Sequence, residues 1–185
     1  MHVHELDDDN FLNSSVLTFG NFDGLHRGHQ HLLDILKSES DKSMLKSVVL
    51  TFSPHTNEII SKSTAFSILT PYIIKKNKFK ETNIDYLCKI SFDEKFSKLK
   101  ADEFMQLIIN KYHPKKIIIG YDNFFGFKKE GSYNYLINNK KYEKIEIIKI
   151  NQLLQDGDMV KSSIIKSLIN TGNIKKANFY LSRYY

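Results

Sequence analysis

Three glycines, Gly20, Gly24 and Gly28, fall within nine residues of one another in a chain that has only eight glycines and three prolines among its 185 residues. Such a cluster permits backbone turns that other residues resist, and its flanks say where in a fold the loop lies. Residues 15–19, SVLTF, form a short apolar, β-branched run, whereas residues 29–37, HQHLLDILK, bring Leu32, Leu33, Ile35 and Leu36 back at near-helical spacing. The order is strand, glycine loop, helix, and it repeats. Residues 47–52 read as strand, and a segment opening at Thr70-Pro71 reads as helix, with threonine as N-cap and proline at the first helical position. Residues 86–90 read as strand, 101–112 as an amphipathic helix through Phe104, Met105, Leu107 and Ile108, and 116–119 as a buried strand. A second glycine loop, 120–131, precedes a fifth strand at 145–150, and residues 162–170 and 173–181 read as two short helices parted by Gly172. The expected fold is α/β, a Rossmann-like parallel sheet with flanking helices in a single domain over 1–185.

Charge narrows the partners. The chain carries 27 Lys and Arg against 21 Asp and Glu, a net +6, with 41% hydrophobic residues, which excludes a polar disordered chain. The lysine runs, Lys75-Lys76, Lys115-Lys116 and Lys140-Lys141, are scattered and read as solvated surface, so no nucleic-acid partner is expected. Neither a membrane-length apolar span nor a basic-then-apolar leader is present, so the expectation is a cytoplasmic chain with no membrane partner. Cys88 stands alone, which leaves no internal disulfide and no thiolate metal cluster to expect.

In open parallel sheets, ligands bind beyond the carboxyl ends of strands, where helix N-termini supply partial positive charge. The segment GNFDGLHRGHQ lies there, and it matches neither the dinucleotide fingerprint nor a Walker loop. His26 and His29 instead stand three residues apart at the loop-to-helix junction, an arrangement suited to a polyphosphate; a third ligand for a metal is missing at convincing spacing.

These residues resemble a known family. GNFDGLHRGHQ is similar to the GxFDGxHxGH signature of bacterial FAD synthetases, the adenylyltransferase module of bifunctional riboflavin kinase/FAD synthetases in the HxGH nucleotidyltransferase superfamily. Residues 50–55, LTFSPH, resemble the family's TFxPHP, residues 120–126, GYDNFFG, its GxDFRFG, and residues 160–166, VKSSIIK, its VSSTxIR; the ending resembles the stretch that closes the module. Four positions depart from the pattern: Thr56 for the second proline, Phe124 for an arginine, Lys161 for the first serine and Lys166 for the final arginine. Lys166 keeps the charge and loses the planar fork.

The resemblance implies a nucleotidyltransferase-type fold and FMN adenylylation, in which FMN and ATP, the latter carrying Mg2+, give FAD and pyrophosphate. It implies transition-state roles for His26 and His29, and phosphate contacts for Ser162, Ser163 and Lys166. Gly20, Asn21, Phe22, Asp23, Gly24 and Gly28 would shape the ATP site. Pro54, His55, Asp122, Phe125 and Gly126 would face FMN, with Asp122 also a candidate metal contact. Plainer readings stand beside these: Phe22 and Phe125 as core, Pro54-His55 as a turn, and Ser162 and Ser163 as helix capping. No kinase-type motif follows the closing stretch, so the expectation is a single FMN adenylyltransferase domain with no C-terminal riboflavin kinase, supplied with FMN by a separate one. The alternative is a flavin- or nucleotide-binding protein on the same scaffold with lost or altered transfer activity.

Overall fold

The computed structural model describes residues 1–8, 12–61, 67–155 and 157–185. Its elements run β1 (His2–Glu5), β2 (Ser15–Gly20), α1 (Arg27–Ser43), β3 (Lys46–Ser53), α2 (Thr56–Ile60), α3 (Tyr72–Lys80), β4 (Tyr86–Ser91), α4 (Ala101–Tyr112) and β5 (Pro114–Gly120). They continue with α5 (Tyr133–Asn138), β6 (Glu146–Ile150), the small hairpin β7 (Leu154–Gln155) and β8 (Asp158–Met159), then α6 (Ser162–Asn170) and α7 (Ile174–Leu181). Six strands form one sheet in the order β1-β4-β3-β2-β5-β6, every neighbouring pair parallel. The parallel α/β expectation holds, with a sixth strand added: β1 pairs with β4 at the edge.

Side-chain alternation explains the layers. Leu17, Phe19, Val48, Leu50, Ile117 and Ile119 point to one face, where Phe104, Met105, Ile108 and Tyr112 of α4 cover them. Val16, Val49, Leu87 and Ile118 point to the other, under Leu32, Leu33 and Leu36 of α1 and Phe79 of α3. Both faces are buried, which is why the central strands read as unbroken apolar runs. A third cluster joins Ile165 of α6 to Ala177, Tyr180 and Leu181 of α7 and to Leu69.

Two local readings are corrected. The helix expected from Thr70 begins at Tyr72 with Pro71 as N-cap and no side-chain cap; the Thr70 hydroxyl instead accepts from the Arg183 guanidinium at 3.0 Å. Lys75, expected on a solvated run, is only 4% exposed, because it shares a helix face with Phe79, four residues on, and is carried inward with it.

The strand order reverses at β2, which is flanked by β3 on one side and β5 on the other. The chain leaves the carboxyl ends of β2 and β5 in opposite directions there, opening a crevice at the point where parallel sheets bind ligands.

Candidate active site

His26 is the N-cap of α1, and its Nδ1 accepts the His29 backbone N–H at 3.4 Å. That acceptor role places the proton of the neutral ring on Nε2, a donor. Gly28 makes the geometry feasible, since a Cβ there would come within 3.3 Å of the His26 ring. The two imidazoles stack, 3.7 Å between centroids and 15° between planes, and the Phe22 ring meets His29 edge-on at 5.3 Å. Burial pushes the His26 pKa down to about 4, and burial together with the neighbouring His26 holds His29 well below its usual range. Both rings are therefore neutral at pH 7, as close stacking requires, and the His29 Nδ1 is buried without a hydrogen-bond partner. The loop that carries them is strained, with Phe22 at φ 50° and Leu25 at φ 43°.

The pair opens on a cleft of about 270 Å3, lined also by Tyr121 and Asp122 beyond β5 and by Lys161, Ser162 and Ser163 at the start of α6. Asp23 fixes α6 against the glycine loop. Its Oδ1 accepts from the backbone N–H groups of Leu69 and Thr70, its Oδ2 lies 2.8 Å from Lys166 Nζ, and its carbonyl accepts from the Ser162 hydroxyl. A carboxylate only 4% exposed needs that company. Lys75 performs a similar task at the sheet, donating to the carbonyls of Asn21 at 2.8 Å and Phe52 at 3.2 Å and so tying the ends of β2 and β3 together. Burial lowers its pKa to about 8.

A second pocket of about 510 Å3 lies on the other side of the β2 exit. Phe19, Phe52, Phe92, Phe96, Phe104 and Phe125 line it, their rings in edge-to-face and tilted contacts; Phe19 and Phe104 stand 5.1 Å apart at 82°, Phe104 and Phe125 5.7 Å apart at 47°. Exposed Phe124 and Phe127 stand at its rim. Gly131 keeps Phe125 in place, because a Cβ on that glycine would lie 2.4 Å from the ring. Asn123 anchors the connecting loop by donating to the Phe19 carbonyl at 2.7 Å.

Of the residues expected to shape one nucleotide site, His26, Gly28, His29, Ser162 and Ser163 line the cleft together. Gly20 and Asn21 line the aromatic pocket, while Phe22, Asp23 and Gly24 are buried and line neither, with the Phe22 ring against His29. Lys166 lies on Asp23 and outside the cleft lining. Among the residues expected to face FMN, Phe125 and Gly126 line the aromatic pocket and Asp122 lines the cleft. Pro54 and His55 line neither; His55 caps α2 through its Nδ1, which accepts the Asn57 N–H at 3.1 Å, and burial lowers its pKa to about 4. Thr56 uses an N–H that proline would lack, donating to Asn21 Oδ1 at 3.1 Å while its hydroxyl accepts from Asn21 Nδ2 at 2.8 Å. Sequence reasoning passed over Lys75, Tyr121 and most of the aromatic pocket. The available signal was phenylalanine at or just past the carboxyl ends of β2, β3 and β4, namely Phe19, Phe52 and Phe92. Among the described residues, no group of three or more His, Cys, Asp or Glu side chains is placed to hold a metal, and no helix is long and apolar enough to cross a membrane.

The sequence profile of the FAD synthetase family matches residues 8–164. The chain belongs to the FAD synthetase family. It is 32% identical over 182 residues to a bifunctional riboflavin kinase/FMN adenylyltransferase of Buchnera aphidicola subsp. Acyrthosiphon pisum, covering 98% of this chain and 58% of that protein. A protein of the same description from Escherichia coli strain K12 is 30% identical over 167 residues, covering 90% and 53% of the two chains. The chain thus spans about half the length of the curated relatives it matches. Among solved structures, one described as a macrolide-efflux protein from Streptococcus pneumoniae superposes with a TM-score of 0.85 at 27% identity, over 97% of this chain and 58% of that one. Pantothenate synthetase from Thermus thermophilus, with a TM-score of 0.54 at 11% identity over 98% of this chain and 81% of that one, shares the fold. Of the four positions that depart from the expected pattern, Lys161 lines the cleft with the histidine pair, Thr56 and Phe124 line the aromatic pocket, and Lys166 lies on Asp23.

Proposed function

We propose that this chain is an FMN adenylyltransferase that transfers AMP from ATP to FMN, giving FAD and pyrophosphate. The observation that carries the reading is a shared wall. Gly120, Tyr121 and Asp122 line the histidine cleft, and the next four residues of the same loop line the aromatic pocket. A polar cleft suited to a triphosphate and an aromatic slot suited to a flavin ring are thereby set side by side, as transfer between the two substrates requires.

The chemistry needs little covalent help. A phosphate monoester has a second pKa of about 6, so FMN arrives as an anion and needs no strong base. The barrier is the approach of that anion to another polyanion, and the chain lowers it by alignment and by donors placed where charge develops. His26 and His29 are those donors. They are neutral in the free protein, and an adjacent triphosphate favours their protonated forms, so positive charge appears when the substrate brings negative charge. The start of α1 adds its partial positive charge. Ser163 and the amides opening α6 take the far phosphates, while Ser162, Lys166 and Asp23 keep α6 in place. Asp122, exposed in the cleft, would hold Mg2+ carried by ATP, which commonly binds through one or two carboxylates plus phosphate oxygens and would supply neutralisation of phosphate charge. Adenylyl transfer alone is assigned to this stretch, with FMN supplied by a riboflavin kinase and both substrates met in the cytoplasm.

The test is chromatographic. Purified chain with FMN, ATP and Mg2+ is expected to form FAD and pyrophosphate in equal amounts, and a parallel tube with riboflavin in place of FMN is expected to form neither FMN nor FAD. Saturable binding of FMN and ATP with no FAD, where an active control enzyme turns over, would make the chain a binding protein on this scaffold.

A further inference from the structure

Of the residues lining the histidine cleft, Lys161 is the sole lysine or arginine among those described. That is a demanding position in a cleft read as a triphosphate site, since the two histidines are neutral before a ligand arrives and Asp122 contributes negative charge. The cations near this wall differ in how they are held. Lys166 lies 2.8 Å from the buried Asp23 carboxylate, outside the cleft lining, and helps to lock α6. Lys161 lies 3.8 Å from Asp122 Oδ2 with its ammonium 5.0 Å from the centroid of the Tyr121 ring, and its interactions with the Tyr121 hydroxyl first and the Asp122 carboxylate second raise its pKa, which keeps it charged. Asp122 is itself 56% exposed, so the attraction between these two charges is heavily screened. A polyphosphate carrying several charges outcompetes one screened carboxylate. Lys161 is also the N-cap of α6 and makes no side-chain cap, so its side chain is available to move without uncapping the helix.

We propose that Lys161 binds the triphosphate of ATP, and afterwards pyrophosphate, by exchanging its contacts with Tyr121 and Asp122 for phosphate oxygens. It is a substrate-binding cation that the family resemblance does not provide, because serine is the residue expected there. The inference rests on the adenylyltransferase reading of the cleft.

Calorimetric titration of a non-hydrolysable ATP analogue and of pyrophosphate, each with Mg2+, into wild type, Lys161→Ser, Lys161→Met and Lys161→Arg tests it, beside FAD formation by the same proteins. Serine is a favourable N-cap, so Lys161→Ser preserves the start of α6. The expected result is at least a tenfold weaker Kd for both ligands in the Ser and Met variants, a shallower salt dependence, an unchanged KM for FMN, and affinity within threefold of wild type for Lys161→Arg. Binding within twofold of wild type in Lys161→Ser would overturn the proposal, as would a wild-type chain that binds neither ligand. If the lysine governs binding and wild type makes no FAD, the site assignment stands and the enzymatic reading falls; if FAD forms and Lys161→Ser leaves ATP binding untouched, the reverse holds.

Discussion

The histidine cleft takes its side chains from loops and helix starts, whereas the aromatic pocket takes them from the apolar core of the sheet. One wall of loop separates them. Around the cleft, polar groups are placed by other polar groups: His26 by the amide of His29, Ser162 by the carbonyl of Asp23 and, just outside the lining, Lys166 by the Asp23 carboxylate. In the pocket, each ring is placed by other rings, and Phe19, Phe104 and Phe125 are as much core as lining. The contrast teaches that a polar site concentrates its vulnerability in a few bonds, while an aromatic one shares its stability with the fold. Perturbing the first should change turnover and leave folding intact; perturbing the second should change both.

The largest separation is expected from His29→Ala. Removing one donor to a developing phosphate charge should slow FAD formation by about 100-fold or more while FMN affinity stays within threefold. A variant within a few-fold of wild-type turnover would remove the histidine from the mechanism.

The next effect is on stability and separates the cleft's neutral histidines from the rest of the molecule. An unfolded chain protonates His26 below about pH 6.5, whereas the folded chain resists until about 4, so stability is full above 6.5 and falls as pH drops through that window. For a group this deeply buried the loss at the low end is about 3 kcal/mol. His26→Asn keeps a favourable N-cap and should flatten that part of the profile, read from urea midpoints at pH 7 and pH 4.5.

Gly131→Ala strikes the pocket. Its Cβ would lie 2.4 Å from the Phe125 ring, so the ring must shift, at a cost of about 2 kcal/mol in stability. Weaker FMN binding should accompany the stability loss, with affinity for an ATP analogue unchanged. Thr56→Pro restores the residue the family pattern expects and is the mildest change. It removes both hydrogen bonds to Asn21, yet proline suits the first helical position that Thr56 occupies, leaving a net loss of about 1 kcal/mol, a fall in Tm of about 3 °C.

Much of the architecture was legible because parallel strands buried on both faces leave runs such as residues 116–119 that admit few other readings. β1 was not, since four residues reading His-Val-His-Glu carry no apolar run and gain their place only by pairing with β4. The histidine pair was legible because its members are three residues apart and meet through local helix geometry. The division of the remaining residues between the two pockets was not, because adjacent residues such as Asp122 and Asn123 fall on opposite sides of one wall. The eight phenylalanines of the aromatic pocket are spread from Phe19 to Phe127, and only the tertiary fold converges them. Lys75 shows the same limit for charge: local sequence placed it in a lysine run, and the helix face it shares with Phe79 carried it inside.

The claim that two pockets divide two substrates is tested most directly by a crossed titration of FMN and a non-hydrolysable ATP analogue, the latter with Mg2+, against wild type, His29→Ala and Gly131→Ala. The account predicts that wild type binds both ligands, that His29→Ala weakens the nucleotide at least fivefold and spares FMN, and that Gly131→Ala does the opposite. A single variant that loses both ligands while remaining folded, or a loss that falls on the other ligand, would contradict it.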